Sequence, residues 1–446
     1  MLGVARYAAR ARRIPNEPSG PARVCAVTAP PTLARRLGLG DAVFIGLGSM
    51  IGAGVFAAFA PAAEAAGAGL LIGLAIAGFV AYCNAAASAQ LAAAHPTSGG
   101  TYAYGRAEIG PWSGFVAGWA FIIGKLASCA AMALTFAAYA APPGWERPVA
   151  IAAVAGLATV NLLGVTRTAQ LTRVLVVIVL LALAVVVAAG WSGPERGVGL
   201  GGLDLWTGGG YGILQSAGLL FFAFAGYARI ATMGEEVRDP SRTIPRAIML
   251  ALGLALIVYA VVAVTVLATL GPQGTAASSA PLAETVTASG WAWAGPIVRI
   301  GAAAASLGAL LALIAGIGRT TLAMAREDDL PRYLAAVHPR YRVPYRAEIA
   351  IAIIVIVAVA TVDLRGAIGF SSFGVLLYYF IANAAAFRQV GGARRFPRIL
   401  QVLGGAGCGV LALTLPLPAV IAGAAVILVG VGGRLVVLEL RRRRSL

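Results

Sequence analysis

The chain has 446 residues, is 60% hydrophobic and only 11% charged, and has a mean hydropathy of +0.86. Soluble chains carry about 45–50% apolar and about 25% charged residues, so a soluble globular fold, disorder, a collagen-like chain and a disulfide framework are all excluded. The formal charge of +17, from 34 Lys and Arg against 17 Asp and Glu, matters here less for its size than for where it falls.

Residues 1–36 read as a basic, disordered tail, with seven arginines and with Pro15, Pro18, Pro21, Pro30 and Pro31 opposing a long helix. They hold no apolar core of signal-peptide type. Apolar runs then follow at 41–63, 69–92, 113–140, 148–165, 171–190 and 211–233, and at 246–271, 296–323, 347–363, 366–388, 397–415 and 418–438. Each is near the roughly 20 residues that cross a bilayer. The reading is an all-α polytopic membrane protein with 12 transmembrane helices.

Arginine placement supports that count. With the N-terminus inside, 29 arginines fall on the cytoplasmic side, while Arg147, Arg196, Arg299 and Arg365 fall outside. A missed span would swap the sides of every later loop and destroy the bias. Both termini are expected in the cytoplasm and the chain in the cell membrane. The charge then marks a membrane face, so no nucleic acid partner is needed to explain it. Cys25, Cys83, Cys129 and Cys408 form no CxxC, and His95 and His338 stand alone in loops. No metal site, cofactor or catalytic set is expected.

Two runs carry interruptions. The first reads Gly46-Leu-Gly48-Ser-Met50-Ile-Gly52-Ala-Gly54, four glycines in nine residues, each weakening a helix by up to about 1 kcal/mol relative to alanine. The sixth reads Phe221-Phe-Ala-Phe-Ala-Gly226-Tyr227. Close helix packing through Gly48 and Gly52 is one explanation. The other is a broken-helix transporter, in which interruptions at corresponding positions of two repeats build a site at the midplane. Unwinding frees N–H groups for a carboxylate and C=O groups for an ammonium.

Four ordered motifs then carry a resemblance. They are Gly46 to Phe56, Pro96-Thr-Ser-Gly-Gly-Thr-Tyr-Ala-Tyr104, Phe221 to Pro245 and Ala323 to Pro331. With them the chain resembles amino acid permeases of the amino acid–polyamine–organocation (APC) superfamily. The resemblance implies a LeuT-like 5+5 inverted repeat with helices 1 and 6 broken. It places a ten-helix core at 37–388 and two peripheral helices with a basic tail at 389–446. It also implies that Met50, Ile51, Gly52, Ala53 and Gly54 hold the substrate's carboxylate and part of its ammonium, while Phe222, Ala225 and Gly226 cover the substrate and accept from its amine. Ala53, Ala228 and Gln90 stand where relatives often carry Ser or Thr, an acid and Glu respectively, and Val179 stands where some proton-coupled relatives place a lysine.

Further candidates come from the residues themselves. Glu235, Glu236 and Asp239 beside Arg238, Arg242 and Arg246 are placed to form an ion-pair network at a cytoplasmic gate, with an inert solvated loop as the alternative. Lys125, the only lysine, sits near the middle of the third run. A central charge costs from about 2.5 to over 10 kcal/mol, and a lysine can exchange a proton where an arginine cannot. It is expected to brace the first broken helix and to couple transport to protons, or else to be static structural glue.

The function expected is secondary transport of a neutral, small or apolar amino acid by alternating access, with protons as the candidate coupling ion. An amino acid or polyamine exchanger and a channel-like protein are the alternatives. A channel needs a continuous polar path that these Ala/Val/Leu-rich runs lack. An enzyme needs a paired catalytic set at membrane depth.

Overall fold

The computed structural model describes residues 37–95, 99–164, 169–192, 204–233 and 236–444. These are helical almost throughout. The first apolar run divides into α1 (Leu39–Met50), α2 (Ala53–Ala57) and α3 (Phe59–Ala66), and α4 (Leu70–Ala94) is the second. A short helix, α5 (Gly100–Glu108), precedes α6 (Pro111–Ala140), α7 (Glu146–Leu162) and α8 (Ala169–Ser192). The sixth run forms α9 (Gly209–Phe224) and α10 (Ala228–Ala231). Then come α11 (Pro240–Ala277), α12 (Pro281–Ala288) and α13 (Gly295–Arg326). The chain finishes with α14 (Tyr345–Thr361), α15 (Leu364–Arg388), α16 (Arg398–Thr414) and α17 (Leu417–Arg444).

Helices therefore lie at all twelve apolar runs. Among the described residues, nine are long and apolar enough to cross a membrane. The other three, α7, α14 and α16, have 17 residues each, about 25 Å of helix against a hydrocarbon core of about 30 Å. The architecture is a polytopic membrane bundle.

Helix α6 lies inside the bundle between α13 and α15. Gly124 makes the α6–α15 crossing tight, since a Cβ there would meet the Ser371 oxygen at 3.1 Å and the Gly374 Cα at 3.2 Å. Small residues at helix crossings are how membrane bundles gain van der Waals contact without a hydrophobic driving force. Helix α17 lies on the rim, with Leu417, Leu428 and Val429 exposed.

The two ends of the bundle are fastened differently. At one end Arg173 pairs with Asp41, and residues before α1 meet those after α10. At the other, Arg147 donates to the Ala360 carbonyl, Arg299 to the Tyr139 carbonyl, and Arg365 pairs with Glu64. These three arginines belong to the small group expected outside, and two of them satisfy carbonyls at helix C-termini. The fourth, Arg196, lies outside the described residues.

Candidate functional site at two crossing helix breaks

Helix α1 ends at Met50, and Gly52 leaves helical geometry with φ −49° and ψ −142° before α2 resumes at Ala53. The sixth run does not open in the same way. It tightens into a single 3₁₀ turn at Ala225–Tyr227 between α9 and α10. The two irregular stretches cross backbone to backbone. A Cβ on Gly54 would lie 2.7 Å from the Ala223 Cα, and one on Gly226 would lie 2.6 Å from the Met50 nitrogen. Only glycine permits such an approach.

Met50, Ile51, Gly52, Gly54, Phe222 and Ala225 are all buried here, and Gly226 is partly so. The Ala53 side chain lies outside what the structure describes. A buried carbonyl without a partner costs about 1–3 kcal/mol, so each irregular turn needs donors. Tyr259 on α11 shares its hydroxyl proton between the Met50 carbonyl at 2.6 Å and the Ala223 carbonyl at 2.9 Å. Tyr139 donates to the Phe56 carbonyl at 3.2 Å. The Ala225 carbonyl receives two long contacts, from Lys125 Nζ at 3.4 Å and from the Tyr379 hydroxyl at 3.5 Å.

Lys125 is 7% exposed. Its hydrogen bond runs to the sixth run and not to the first, which it was expected to brace. One turn further on, Ser128 and Ser371 share a hydrogen bond of 2.7 Å between α6 and α15. Beside Gly52 lies a void of about 10 Å³ lined by Ile51, Val176, Val179 and Ala305, room for about one water. Val179, in α8, thus lines the void beside the first break.

At the Leu37 end, the expected ion-pair network around 235–246 is not what holds the chain. Glu235 lies outside the described residues. Among the described residues no side-chain ion pair joins Glu236 or Asp239 to Arg238, Arg242 or Arg246. Instead the backbone pairs: Leu37 N–H donates to the Glu236 carbonyl at 3.1 Å, and Arg238 N–H donates to the Leu37 carbonyl at 2.9 Å. Main-chain groups of the non-helical segment between α10 and α11 are satisfied this way whatever the side chains are.

The ion-pair hub at this end is Asp329, in the loop after α13. Its carboxylate accepts from Arg106 at 2.7 Å and from the Tyr102 hydroxyl at 2.9 Å, and it pairs with Arg434 of α17 at 2.9 Å. Arg434 also lies over the Phe115 and Trp112 rings, 4.5 and 4.7 Å from their centroids. Burial and the Asp329 carboxylate push the Tyr102 hydroxyl well above the usual phenol range, so it remains a donor. Helix α5 is held on a second side as well. Tyr104 donates to the Ala231 carbonyl at the end of α10 at 3.1 Å, and Thr101 N–H donates to the Tyr378 hydroxyl at 3.1 Å. The motif Gly99 to Tyr104 thus ties α10, α15 and the α13 loop together beneath the breaks.

Residues 37–437 match the amino acid permease family. The chain belongs to that family, within the APC superfamily, and is a transport protein. It is 60% identical over 404 residues to an uncharacterized transporter of Mycobacterium tuberculosis, covering 90% of this chain and 91% of that one. It is 26% identical to the branched-chain amino acid permease BcaP of Bacillus subtilis, over 73% of this chain and 74% of the relative. A third relative, cationic amino acid transporter 7, chloroplastic, of Arabidopsis thaliana, is 27% identical over 86% of this chain and 70% of its own length.

Sequence reasoning missed Tyr259, Tyr139 and Tyr379. The signal was present, since a tyrosine deep in an apolar run must find a partner for its hydroxyl. Which carbonyl it finds depends on neighbours far away in the chain. Asp329 was inside a quoted motif, but its two arginines lie more than 100 residues away on either side.

Proposed function

We propose that this chain is a secondary active transporter that moves a neutral, small or apolar amino acid across the cell membrane by alternating access. The observation that carries the proposal is the crossing of the two irregular stretches. Around Gly52 and at Ala225–Tyr227 the backbone leaves regular α-helix deep in a membrane bundle, which is tolerated where it is enclosed by protein or lines a cavity. In this reading Met50 to Gly54 hold the substrate's carboxylate, and the Ala225 carbonyl, with Phe222 and Gly226, receives its amine. The twelve helices form a LeuT-like 5+5 repeat with two further helices, and both termini are cytoplasmic.

The family includes both cationic and branched-chain amino acid transporters by name, and local chemistry favours the uncharged class. None of Met50, Ile51, Gly52, Gly54, Phe222, Ala225 and Gly226 carries a carboxylate, while Lys125 adds a positive charge beside them. A cationic side chain would meet repulsion there with nothing to pair with. Lys125 is the proposed coupling residue, because its bond to the Ala225 carbonyl holds an exchangeable Nζ proton beside the group that receives the substrate's amine. Glu236 and Arg238 act at the cytoplasmic gate through their backbone pairing with Leu37, and Asp329 with α5 fastens the same gate.

Uptake and counterflow in proteoliposomes, run against a panel of amino acids, test the proposal. Saturable uptake of alanine, valine or leucine with counterflow is expected, steeper under an inward proton gradient. Non-saturable flux would leave a channel, and transport restricted to arginine or a polyamine would overturn the substrate class.

A further inference from the structure

A cleft of about 730 Å³ opens between α17, the start of α6 and the loop after α13. Its walls are of two kinds. Phe115, Trp119, Val429 and Val437 form an apolar side, while Arg332 and Arg434 stand at a polar end beside Asp328 and Asp329. Both aspartates are engaged: Asp328 pairs with Arg332, and Asp329 is divided between Arg106 and Arg434.

Position along the membrane normal follows from helix length. The 28 residues of α17 span about 42 Å, against about 30 Å of hydrocarbon. Arg434 stands 17 residues after Leu417, about 26 Å along the helix, which sets it at the level where hydrocarbon gives way to headgroups. Trp112, 4.7 Å from the Arg434 guanidinium, is the residue type that favours this layer. The cleft thus meets the bilayer where a phospholipid changes from chain to headgroup.

Charge selects the kind of lipid. Residues 326–332 and 434–444 together carry seven arginines against four carboxylates. Basic pockets between helices, and arginine runs directly after a membrane helix, attract anionic lipids, and a guanidinium matches a phosphate through paired hydrogen bonds. We infer that this cleft binds an anionic phospholipid, one acyl chain against Phe115, Trp119 and Val437 and its phosphate at Arg332, whose side chain is 80% exposed. Arg434, 9% exposed, stays with Asp329 and the Pro111 carbonyl. The inference concerns binding and does not depend on which substrate is carried.

The test uses the purified full chain in maltoside, titrated with phosphatidylglycerol or with phosphatidylcholine of the same acyl chains, and read by native mass spectrometry. Two variants leave the Asp329 contacts in place. Arg332→Gln removes one guanidinium that is mostly exposed, and Gly433→Phe fills the cleft from a position where an added Cβ meets nothing within 4 Å. Phosphatidylglycerol is expected to bind preferentially, with Arg332→Gln weakening it by about fivefold and Gly433→Phe abolishing that site. Arg365→Gln, at the other end of the bundle, is expected to leave it unchanged. Equal binding of phosphatidylcholine, or full binding by both variants, would overturn the inference. So would competition by millimolar inorganic phosphate with no dependence on acyl chains, which marks a free-anion site. A change in oligomeric state caused by Gly433→Phe, without loss of lipid, would instead make the cleft a contact between copies.

Discussion

Gly226 faces the Ser49 carbonyl so closely that a Cβ added to it would lie 2.2 Å from that oxygen. Both groups belong to backbone, so neither can swing aside. The sixth run narrows to a 3₁₀ turn at the point where it passes the end of α1, and the glycine is what lets the two stretches touch.

Gly226→Ala is therefore expected to destabilise the bundle by about 1–3 kcal/mol or more, the range for overpacked cores. Gly253→Ala on α11, where an added Cβ meets nothing within 4 Å, is expected to be close to neutral. Thermal unfolding of both variants in detergent checks the contrast. Equal midpoints would show that the crossing can relax.

Tyr259→Phe keeps the ring and removes only the hydroxyl that serves the Met50 and Ala223 carbonyls. Leaving buried acceptors without a donor costs about 1–3 kcal/mol, so a lower unfolding midpoint is expected with the helical content intact. Tyr82→Phe, with its ring 44% exposed, provides the reference and is expected to change nothing. A Tyr259 variant as stable as wild type would show that the carbonyls find other donors.

Substitution of Lys125 separates a proton carrier from a fixed strut. Gln retains a donor toward Ala225 but cannot exchange a proton, and Arg keeps its charge. In proteoliposomes Gln is expected to abolish accumulation driven by a proton gradient while sparing exchange, and Arg to stop the cycle. Accumulation like wild type across external pH in both variants, with both folded, would remove Lys125 from coupling.

Asp329→Asn tests the hub. The Asp329 and Arg434 side chains are 4% and 9% exposed, and removing one partner of a buried pair costs about 3–5 kcal/mol. Arg106 is 27% exposed and keeps water as an alternative, which brings the expectation to the lower part of that range. Glu327→Gln should cost under about 1 kcal/mol, since Glu327 is 57% exposed and lies 3.4 Å from Arg106. Unfolding midpoints of the two variants give the comparison. Exchange of amide hydrogens in α5 should rise only in Asp329→Asn.

Several features were legible in the chain because they are local. Apolar runs, the arginine bias, the glycines around Gly52 and the isolated Lys125 need no neighbour to be recognised. Gate chemistry was not. Glu236 and Arg238 looked like members of an ion-pair network because charges close in sequence are easily read as partners. In the fold their main-chain groups reach Leu37 instead, since the segment between α10 and α11 has backbone donors and acceptors that no helix pairs.

The amino-acid sequence by itself determined that this protein is a membrane bundle, where its helices run, where the first one yields, and to which family it belongs. Hydropathy and backbone freedom are properties of short stretches, so composition and spacing suffice for them. Only the tertiary structure decided that Lys125 meets Ala225, that Tyr259 bridges Met50 and Ala223, and that Asp329 gathers Arg106 and Arg434. Those contacts join residues from 36 to more than 200 positions apart. A buried polar group must be satisfied, but which distant group satisfies it depends on how the helices cross.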